Sequence, residues 1–485
     1  MSGACAVLDT RAHREIEQKH AGVDLMRRAG EAAAAWLAER LSTGQALCVL
    51  AGPGNNGGDA LVAASCLRER GFKVTLVRLA TPDRLPADAQ AALARWNALG
   101  HETLGRWPDT FANGWIVDGL FGIGLQRPIE GVYAEAVRWI ARQRAAGARV
   151  LALDVPSGVE ADTGAVVGEA VVSADATLTF IAAKPGLLTG PALEHVGEAY
   201  VHDLGLGPLP ADPRLAAFGL EQAQALAPAR PRTAHKGSFG EVHVLGGAEG
   251  MWGAAILAAR AAARAGAGKV RVGWLSEAAP GLDPLAPELM LGPASRLVAQ
   301  AADALCVGCG LGVSGAAVQL LRRAIEREVP TLFDADALNL IAQSAELATA
   351  VQRRKAPSIL TPHPLEAARL LGASPASVNA DRLRAARDLA RGYRAVVVLK
   401  GAGSVVADPE GRASINLTGN PLLATAGTGD VLAGVIAALL AQRLPAWDAA
   451  RVGVAWHGAC ADRLATQGVQ RALASDLLPE LRFLR

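Results

Sequence analysis

Three polar motifs in the first half of the chain each follow a strand-like apolar run: "CVLAGPGNNGGD", "WIVDGLFGIG" and "VLALDVPSG". In open sheets of parallel strands, ligands bind at the loops that follow the carboxyl ends of the strands. Residues that are distant in sequence are therefore expected to meet there. We expect the oxygens of Asn56, Asp118 and Ser157 to bind one hard cation, and Asp59 and Asp154 to face a small polar substrate.

The first of these motifs, "AGPGNNGGDA", is predicted to form the turn between a strand and a helix. Its glycines satisfy the G-x-G-x-x-G pattern of dinucleotide sites. A dehydrogenase would carry an acidic residue for the ribose about 20 residues further on, yet "KVTLVRLA" is followed by Thr-Pro. An alternative is that Asn55, Asp59 and Ser157 only cap helices and satisfy turns.

The second half of the chain carries a glycine loop before an apolar helix, in "NPLLATAGTGDVLAG". Backbone N–H groups at such a helix start suit a phosphoryl group, and Asp430 beside them can act as a base toward an alcohol. Upstream, "VVVLKGAGS" ends a buried strand in a second loop, from Lys400 to Ser404, that suits the phosphate and ribose of a nucleotide. The alternative for Asp430 is a simple N-cap.

Two more polar motifs of the second half, "FDADALNLIA" and "TPHPLEAARLL", also follow strand-like runs. They place Asp334, Asp336, His363 and Glu366 at the same predicted sheet edge. His363 lies between two prolines at a strand-to-helix turn, a position that exposes it. The sequence leaves open whether this histidine is structural or contacts a substrate.

Composition narrows the classes of protein and partner. The chain has 485 residues, 51% hydrophobic and 19% charged, which predicts two substantial units with large cores. A net charge of +2 gives no basic field for nucleic acid. No apolar run reaches the roughly 18 residues of a membrane span. The N-terminus lacks the apolar stretch of a signal peptide, so we expect a cytoplasmic protein.

Six cysteines are spread along the chain, and only Cys306 and Cys309 are close neighbours in sequence. A Cys-x-x-Cys pair is found in redox and zinc sites. No second pair accompanies it, and its glycine-rich setting, "CVGCGLG", favours a ligand-binding loop.

Both halves alternate apolar runs rich in Val, Leu and Ile with helical stretches rich in Ala and Arg. This alternation is typical of parallel sheets covered by helices and predicts an α/β architecture. The segment 205–240 is dense in Pro and Gly and holds one short helical pattern, so we interpret it as a connector. We place the domain boundary near residue 213.

Taken together, the motifs resemble those of the bifunctional NAD(P)H-hydrate repair enzymes, in which an NAD(P)HX epimerase domain precedes an ADP-dependent dehydratase domain. The resemblance covers nearly the whole chain and includes "AGPGNNGGDALVAA", "DGLFGIG", "LDVPSG", "DADALNL", "TPHPLEAARLLG" and "AGTGDVLAG". It implies an N-terminal Rossmann-like three-layer domain, residues 1–213, and a C-terminal ribokinase-like α/β domain, residues 214–485.

For the N-terminal domain, the resemblance implies that (R)- and (S)-NAD(P)HX, nicotinamides hydrated at C6, are interconverted. A potassium ion would be held by Asn56, Asp118 and Ser157, and Asp154 would be catalytic. The residues implied to bind the hydrate are Asn55, Asn56, Gly57, Gly58, Asp59, Gly122, Ile123, Gly124, Leu125, Gln126, Arg127, Pro128 and Asp154.

For the C-terminal domain, the resemblance implies that the (S)-hydrate is phosphorylated with ADP as co-substrate and then loses phosphate. Asp430 would be the catalytic base, Mg²⁺ would assist the transfer, and Glu366 is the candidate to hold that ion through water. The residues implied to face the hydrate are Ala254, Gly312, His363 and Asp430. Those implied to bind the nucleotide are Lys400, Gly401, Ala402, Gly403, Ser404 and Gly429.

The chain departs from the family pattern at Cys309, Leu365, Leu422 and Ala426. These changes spare the proposed chemical groups, but Leu422 and Ala426 require ordinary backbone angles where the family has glycine.

Two other functions fit parts of the sequence. A ribokinase-like domain could phosphorylate a small molecule and keep the product, and the first unit could be a nucleotide-binding module without turnover. The fused "GPGNNGGD" unit and its oxygen ligands favour the repair enzyme. The expected partners are NADHX, NADPHX and ADP, without nucleic acid or membrane, and the family resemblance implies a homo-oligomer.

Overall fold

The structure, a computed structural model, describes residues 6–42, 44–81, 85–111, 113–209, 212 and 214–483. The chain divides into two units, one ending at Asp212 and the other comprising the rest of the chain. The predicted boundary at residue 213 itself lies outside the described residues.

The first unit is built on seven parallel strands. Its sheet has the order β3-β2-β1-β4-β5-β6-β7, so the direction of winding reverses between β1 and β4. A crevice opens at such a reversal, beyond the carboxyl ends of the strands. The strands are β1 (Leu47–Ala51), β2 (Val74–Arg78), β3 (Thr103–Leu104), β4 (Trp115–Gly119), β5 (Arg149–Leu153), β6 (Ala176–Phe180) and β7 (Glu198–His202).

Helices cover both faces of this sheet because its central strands are apolar on both sides. Val49 and Val117 belong to a core formed with α1 to α4, whereas Leu50 and Ile116 belong to a second core formed with α5. The predicted Rossmann-like three-layer architecture is therefore confirmed. The helices are α1 (Thr10–Lys19), α2 (Leu25–Ala38), α3 (Asn55–Glu69), α4 (Ala87–Ala98), α5 (Gly131–Ala145) and α6 (Leu193–Val196).

The glycine motif after β1 forms a shorter turn than the sequence predicts. The turn ends at Gly54, and α3 begins at Asn55, so "NNGGD" lies in the first turns of the helix. Backbone contact explains two of the glycines: a Cβ on Gly52 would lie 1.8 Å from the carbonyl oxygen of Leu120, and one on Gly57 would lie 2.2 Å from that of Gly52. These glycines allow the β1 and β4 loops to touch.

The second unit is built on a ten-stranded sheet of order β11-β10-β9-β12-β13-β14-β15-β16-β17-β8, in which only the β15-β16 and β16-β17 pairs are antiparallel. The strands are β8 (Leu215–Phe218), β9 (Glu241–Gly246), β10 (Lys269–Trp274), β11 (Met290–Pro293), β12 (Ala304–Val307), β13 (Thr331–Phe333), β14 (Ser358–Leu360), β15 (Val396–Leu399), β16 (Val405–Ala407) and β17 (Ala413–Asn416).

Twelve helices are described in this unit. They are α7 (Leu220–Leu226), α8 (Trp252–Arg264), α9 (Ala294–Leu297), α10 (Gly315–Ile325), α11 (Asp336–Gln343), α12 (Ala345–Gln352), α13 (Pro364–Leu371), α14 (Pro375–Ala380), α15 (Arg382–Tyr393), α16 (Thr428–Ala441), α17 (Ala446–Thr466) and α18 (Leu477–Glu480). No described helix combines the length and apolarity that a membrane span requires.

Helix α16 is buried along its whole length after its first turn, which holds the start of this helix in a fixed position. It packs closely on α8, since a Cβ on Gly434 would lie 2.0 Å from the carbonyl oxygen of Ala258. The segment 205–240 is more structured than a plain connector: β8 joins the edge of the sheet beside β17, and α7 follows it. The four apolar residues of β8 are too few to show the alternation of side chains by which a strand is recognised in a sequence.

Because the β1 and β4 loops are in backbone contact at Gly52, adding one methyl group there should lower the stability of the first unit considerably. Gly52→Ala should destabilise the first unit by about 3 kcal/mol, because the added Cβ overlaps backbone that cannot move independently. Gly54→Ala is the matched control, since nothing lies within 4 Å of its Cβ position. Denaturant unfolding of both variants tests this, and equal stability of the two would contradict it.

Two candidate active sites

The first candidate site is a cavity of about 970 Å³ at the carboxyl ends of the first sheet. Predicted residues that line it are Asn55, Asn56, Asp59, Gly122, Ile123, Gly124, Leu125 and Asp154. Other predicted residues lie elsewhere: Gly57 and Gly58 are buried within α3, and Gln126, Arg127 and Pro128 are exposed outside the lining. The three loops therefore converge, although the second half of "GIGLQRP" points away from the cavity wall.

Asp118 and Ser157 form one buried hydrogen-bonded unit. Ser157 donates its Oγ–H to Asp118 Oδ1 at 2.7 Å and its backbone N–H to Oδ2 at 2.8 Å. The N–H of Phe121 in turn donates to Ser157 Oγ at 2.9 Å. Burial raises the pKa of Asp118 to about 6, although the bonds from Ser157 act in the opposite direction. Ser157 is thus no helix cap, because it joins the β4 and β5 loops.

Asn56 is the feature of this site that indicates a ligand. Its side chain is buried, and neither Oδ1 nor Nδ2 has a hydrogen-bond partner. An unpaired buried amide costs free energy, so such groups generally mark a ligand or ion. Asp118 and Ser157 are fully buried and are not among the residues that line the cavity. The oxygens of these three side chains are of the type that binds alkali and alkaline-earth cations. The residues therefore fit a cation such as K⁺.

Asp154 faces the same point of the cavity as Asn56. A Cβ on Gly122 would lie 3.4 Å from both Asn56 Cγ and Asp154 Oδ2. Asp154 has a positive φ of 64°, a strained conformation for a non-glycine residue. Burial disfavours its charge, but the ammonium group of Lys184 outweighs burial and lowers the pKa of Asp154.

Other titratable side chains also line this cavity, among them His13, Glu17 and Asp59. Burial raises the pKa of Asp59 well above its ordinary range, and the charge of Asp154 adds to this. Partial burial and the same charge raise the pKa of Glu17. Burial lowers the pKa of His13 to about 3, so its imidazole is neutral. The cavity therefore holds two carboxyl groups whose pKa values are shifted in opposite directions, that of Asp154 downward and that of Asp59 upward.

Sequence reasoning missed Lys184, which is 1% exposed and contacts Asp154. It also missed His13, buried in α1. A signal for the lysine existed, because a single Lys within the apolar run "TFIAAKPGLL" has no ordinary place in a core.

The second candidate site lies at the carboxyl edge of the second sheet, around an ion pair. Lys400 Nζ lies 2.7 Å from Asp334 Oδ1 and 4.0 Å from Glu366 Oε2. Thr361 Oγ1 donates to the same Asp334 oxygen at 2.7 Å. Burial raises the pKa of Glu366 to about 7, although the charge of Lys400 opposes this. The loops after β13, β14 and β15 thus meet at one lysine.

Asp430 joins this cluster from the start of α16. One ligand atom each of Cys309, Asp334 and Asp430 lie within 4.8 Å of one another. A Cβ on Gly429 would lie 3.4 Å from Lys400 Nζ. The N-cap of α16 is Gly427, so Asp430 does not cap this helix. Burial and the charge of Asp334 raise the pKa of Asp430 to about 6, which suits a base working near neutral pH.

The loop after β15 is closed by hydrogen bonds within the chain. Ser404 Oγ donates to the carbonyl oxygen of Gly401 at 2.9 Å and accepts from its N–H at 3.3 Å, which closes the loop. The buried guanidinium group of Arg382 donates to the carbonyl oxygens of Leu399 and Lys400. The loop that contains Ala402 and Gly403 is thus fixed by its own atoms and by Arg382.

His363 has a structural role in the chain itself. It is the N-cap of α13, because its Nδ1 accepts from the N–H groups of Leu365 and Glu366. In return, the backbone N–H of His363 donates to the Glu366 carboxylate at 2.7 Å. Burial and the charge of Lys400 lower its pKa. The ring remains exposed, so capping does not exclude contact with a substrate.

Two other predicted residues lie beside the "GCGLG" loop. Ala254 contacts it, since a Cβ on Gly310 would lie 3.2 Å from the Ala254 Cβ. Gly312 donates its N–H to Asp336 Oδ2 at 2.8 Å, which ties this loop to α11. At the departures from the family pattern, neither Leu422 nor Ala426 has a positive φ, so both tolerate a side chain.

The pair of Lys400 and Asp334 predicts a stability coupling. Lys400→Met leaves a buried carboxylate without its counter-charge and should destabilise the second unit by about 3 kcal/mol. Combining it with Asp334→Asn removes the stranded charge and should restore most of that loss. Denaturant unfolding of the single and double variants tests this. A double variant no more stable than Lys400→Met would contradict the prediction.

Comparison with known proteins gives the same division of the chain. A family model described as YjeF-related protein N-terminus matches residues 22–186, and one described as NAD(P)H-hydrate dehydratase matches residues 242–482. A solved ribokinase-like superfamily protein from Enterococcus faecalis has 26% identity and a TM-score of 0.50, covering 57% of this chain and 96% of its own. The predicted ribokinase-like fold of the second unit is therefore confirmed.

Curated relatives match across both units. The bifunctional NAD(P)H-hydrate repair enzyme of Coxiella burnetii is 42% identical over 482 residues, which covers 97% of this chain and 96% of the relative. The enzyme of that name from Escherichia coli is 41% identical over 471 residues, covering 95% and 88%. With both units matched over nearly their full length, the chain belongs to the family of bifunctional NAD(P)H-hydrate repair enzymes.

Proposed function

We propose that the first unit interconverts (R)- and (S)-NAD(P)HX, and that the second dehydrates the (S) form at the expense of ADP, giving NAD(P)H, AMP and phosphate. The observation that supports this proposal is that each unit brings candidate proton-transfer and charge-stabilising groups together at the carboxyl ends of its strands. The first cavity has an unpartnered Asn56 beside an ionised Asp154. In the second unit, Asp430 lies in the first turn of the buried helix α16, and Lys400 Nζ lies close to that turn, 3.4 Å from the Cβ position of Gly429.

In the first unit, epimerisation at C6 requires a bond to break and re-form on the opposite face of the ring. Whether the ring opens or the hydroxyl leaves, one group must accept a proton and another must supply one. Asp154, with a lowered pKa, accepts, and Asp59, with a raised pKa, donates. Asn56, Asp118 and Ser157 would hold a K⁺, whose charge would orient the polar substrate beside them.

In the second unit, Asp430 takes the proton of the C6 hydroxyl, and the oxygen attacks the β-phosphorus of ADP while AMP leaves. The ring nitrogen then expels phosphate, and loss of the C5 proton restores the dihydropyridine. Lys400 and the N–H groups at the start of α16 balance the charge on the transferred group. A Mg²⁺, with Glu366 as its proposed contact through water, would neutralise the phosphates.

The remaining proposals concern the setting of the protein. All five cysteines of the described residues are free and buried, as expected in a reducing compartment such as the cytoplasm. We propose that the chain acts there, as a homo-oligomer, with NADHX, NADPHX and ADP as its small-molecule partners.

The whole proposal is tested by supplying mixed hydrate epimers with ADP and Mg²⁺ to the full chain. Reduced nicotinamide absorbance and AMP should rise together until both epimers are consumed. Recovery that stops at the (S) fraction would refute epimerisation by the first unit. A stable phosphorylated product in place of released phosphate would instead identify a small-molecule kinase.

The cation site makes a separate prediction. Asp118→Asn should abolish the increase in thermal stability that K⁺ gives relative to Na⁺, and should lower epimerisation, because the site loses its only carboxylate. Ser65→Ala is the matched control, since Ser65 is buried in α3 and bonds only the carbonyl oxygen of Leu61. Thermal unfolding in each salt is the measurement, and an unchanged K⁺ effect in Asp118→Asn would contradict the assignment.

The raised pKa of Asp430 predicts the acid limb of dehydration. A base must be ionised, so kcat/KM for the (S)-hydrate should fall about tenfold per pH unit below a pKa of about 6. Asp430→Asn should lower kcat at neutral pH by about a thousandfold. Initial rates across pH test both, and Asp448→Asn is the control because Asp448 lies in α17 and pairs with Arg451. Full activity in Asp430→Asn would exclude it as the base.

A further inference from the structure

Lys184 is among the most buried charged side chains of the first unit, with 1% of its surface exposed. Its side chain lines the same cavity as Asp154, and its ammonium group contacts Asp154 Oδ1. It donates to Asp154 Oδ1, to Thr179 Oγ1 at 2.8 Å and to the carbonyl oxygen of Phe180 at 2.9 Å. An ammonium has three N–H donors, so none remains for a substrate. Lys184 is thus suited to hold another residue and not to touch the reacting atoms.

The two oxygens of Asp154 have different surroundings. Oδ1 accepts from Lys184, from Thr179 Oγ1 at 3.2 Å and from the N–H of Phe180 at 3.4 Å. Oδ2 receives no hydrogen bond from any described residue and lies 3.4 Å from the Cβ position of Gly122, at the cavity wall. One oxygen is therefore anchored, and the other is presented to the cavity.

The surrounding charges make the lysine necessary. Asp59 on α3 and Glu17 on α1 both act electrostatically on Asp154, and like charges at close range cannot all ionise in a buried site. His13 on α1 contributes no positive charge because its imidazole is neutral at pH 7. Among the titratable groups described around Asp154, Lys184 is the only cation in direct contact with it. Its position decides which carboxyl group carries the negative charge.

We propose that Lys184 is the positioning residue of the epimerase site: it selects Asp154, and not Asp59, as the proton acceptor and turns Oδ2 toward C6 of the hydrate. This inference rests on the proposed epimerase activity. It gives a role in the reaction to Lys184, which lies in "IAAKPG" and outside the three polar motifs of the first unit.

The test uses the full-length chain and pure (R)-hydrate without ADP, so that the second unit does not consume the product. Chromatography follows the appearance of the (S)-hydrate. Lys184→Met should lower kcat at neutral pH by at least about tenfold and should move the acid limb of the rate to higher pH, because Asp154 without its counter-charge needs a lower proton concentration to ionise. Lys73→Met is the control, since Lys73 is exposed in the same unit.

Two measurements separate positioning from loss of structure. Dehydration of the (S)-hydrate with ADP by Lys184→Met should match the wild type, which reports an intact second unit in the same molecules. The double variant Lys184→Met with Asp154→Asn should regain thermal stability without regaining epimerisation. Methylammonium added to Lys184→Ala should restore part of the epimerisation, because it refills the cavity with a positive charge.

The outcomes are distinct. A wild-type chain that does not epimerise the (R)-hydrate refutes the proposed function itself. A wild-type chain that does, together with a folded Lys184→Met whose rate and acid limb are unchanged, refutes the role of Lys184. The role of Lys184 is also refuted if Lys184→Met loses rate without a shift of the acid limb of its pH profile and methylammonium does not restore epimerisation to Lys184→Ala. The lysine would then contribute only to packing.

Discussion

Both candidate sites depend on one constraint, the direct contact of backbones where parallel strands end. In the first unit, the Cβ position of Gly52 lies 1.8 Å from the Leu120 carbonyl oxygen. In the second, the Cβ position of Gly308 lies 1.9 Å from the Asp334 carbonyl oxygen, and that of Gly246 lies 2.1 Å from the Cys309 carbonyl oxygen. Any side chain at these glycines would separate the loops. The polar groups they carry then could not meet around one ligand.

This constraint changes the interpretation of the glycine-rich motif after β1. The spacing of its glycines matches a dinucleotide motif, whose glycines admit a pyrophosphate. Here the missing Cβ atoms of Gly52 and Gly57 leave room for neighbouring backbone instead, and that of Gly58 leaves room for the side chain of Met26. The space left at the crevice is lined by Asn56 and Asp59, which suit a polar ring and a cation. The same spacing of glycines can therefore accommodate either a pyrophosphate or neighbouring backbone, and the tertiary packing around the glycines determines which of the two lies there.

Both units contain an ion pair between an aspartate and a lysine at the candidate site. Each has a carboxylate paired with a lysine, Asp154 with Lys184 and Asp334 with Lys400, and one member of each pair, Lys184 or Asp334, is fully buried. Beside each pair lies a further carboxyl group whose pKa is raised, Asp59 in one unit and Asp430 in the other. Neighbouring carboxyl groups with different pKa values are what proton transfer requires. In the first unit, Lys184 outweighs burial and lowers the pKa of Asp154, whereas burial raises the pKa of Asp59.

The sequence by itself determined the α/β class, the order of the polar motifs and most of the candidate site residues, because strand ends carry local signatures in residue type and spacing. Only the tertiary structure decided which of these groups meet and what supports them. The roles of Lys184, His13 and strand β8 depend on contacts with distant parts of the chain, and the sequence marks Lys184 only as a lysine within an apolar run. The capping of α13 by His363 and the bond between Ser157 and Asp118 likewise required coordinates. Hydrophobic pattern and turn chemistry act over a few residues, whereas burial and electrostatic pairing depend on how the whole sheet packs.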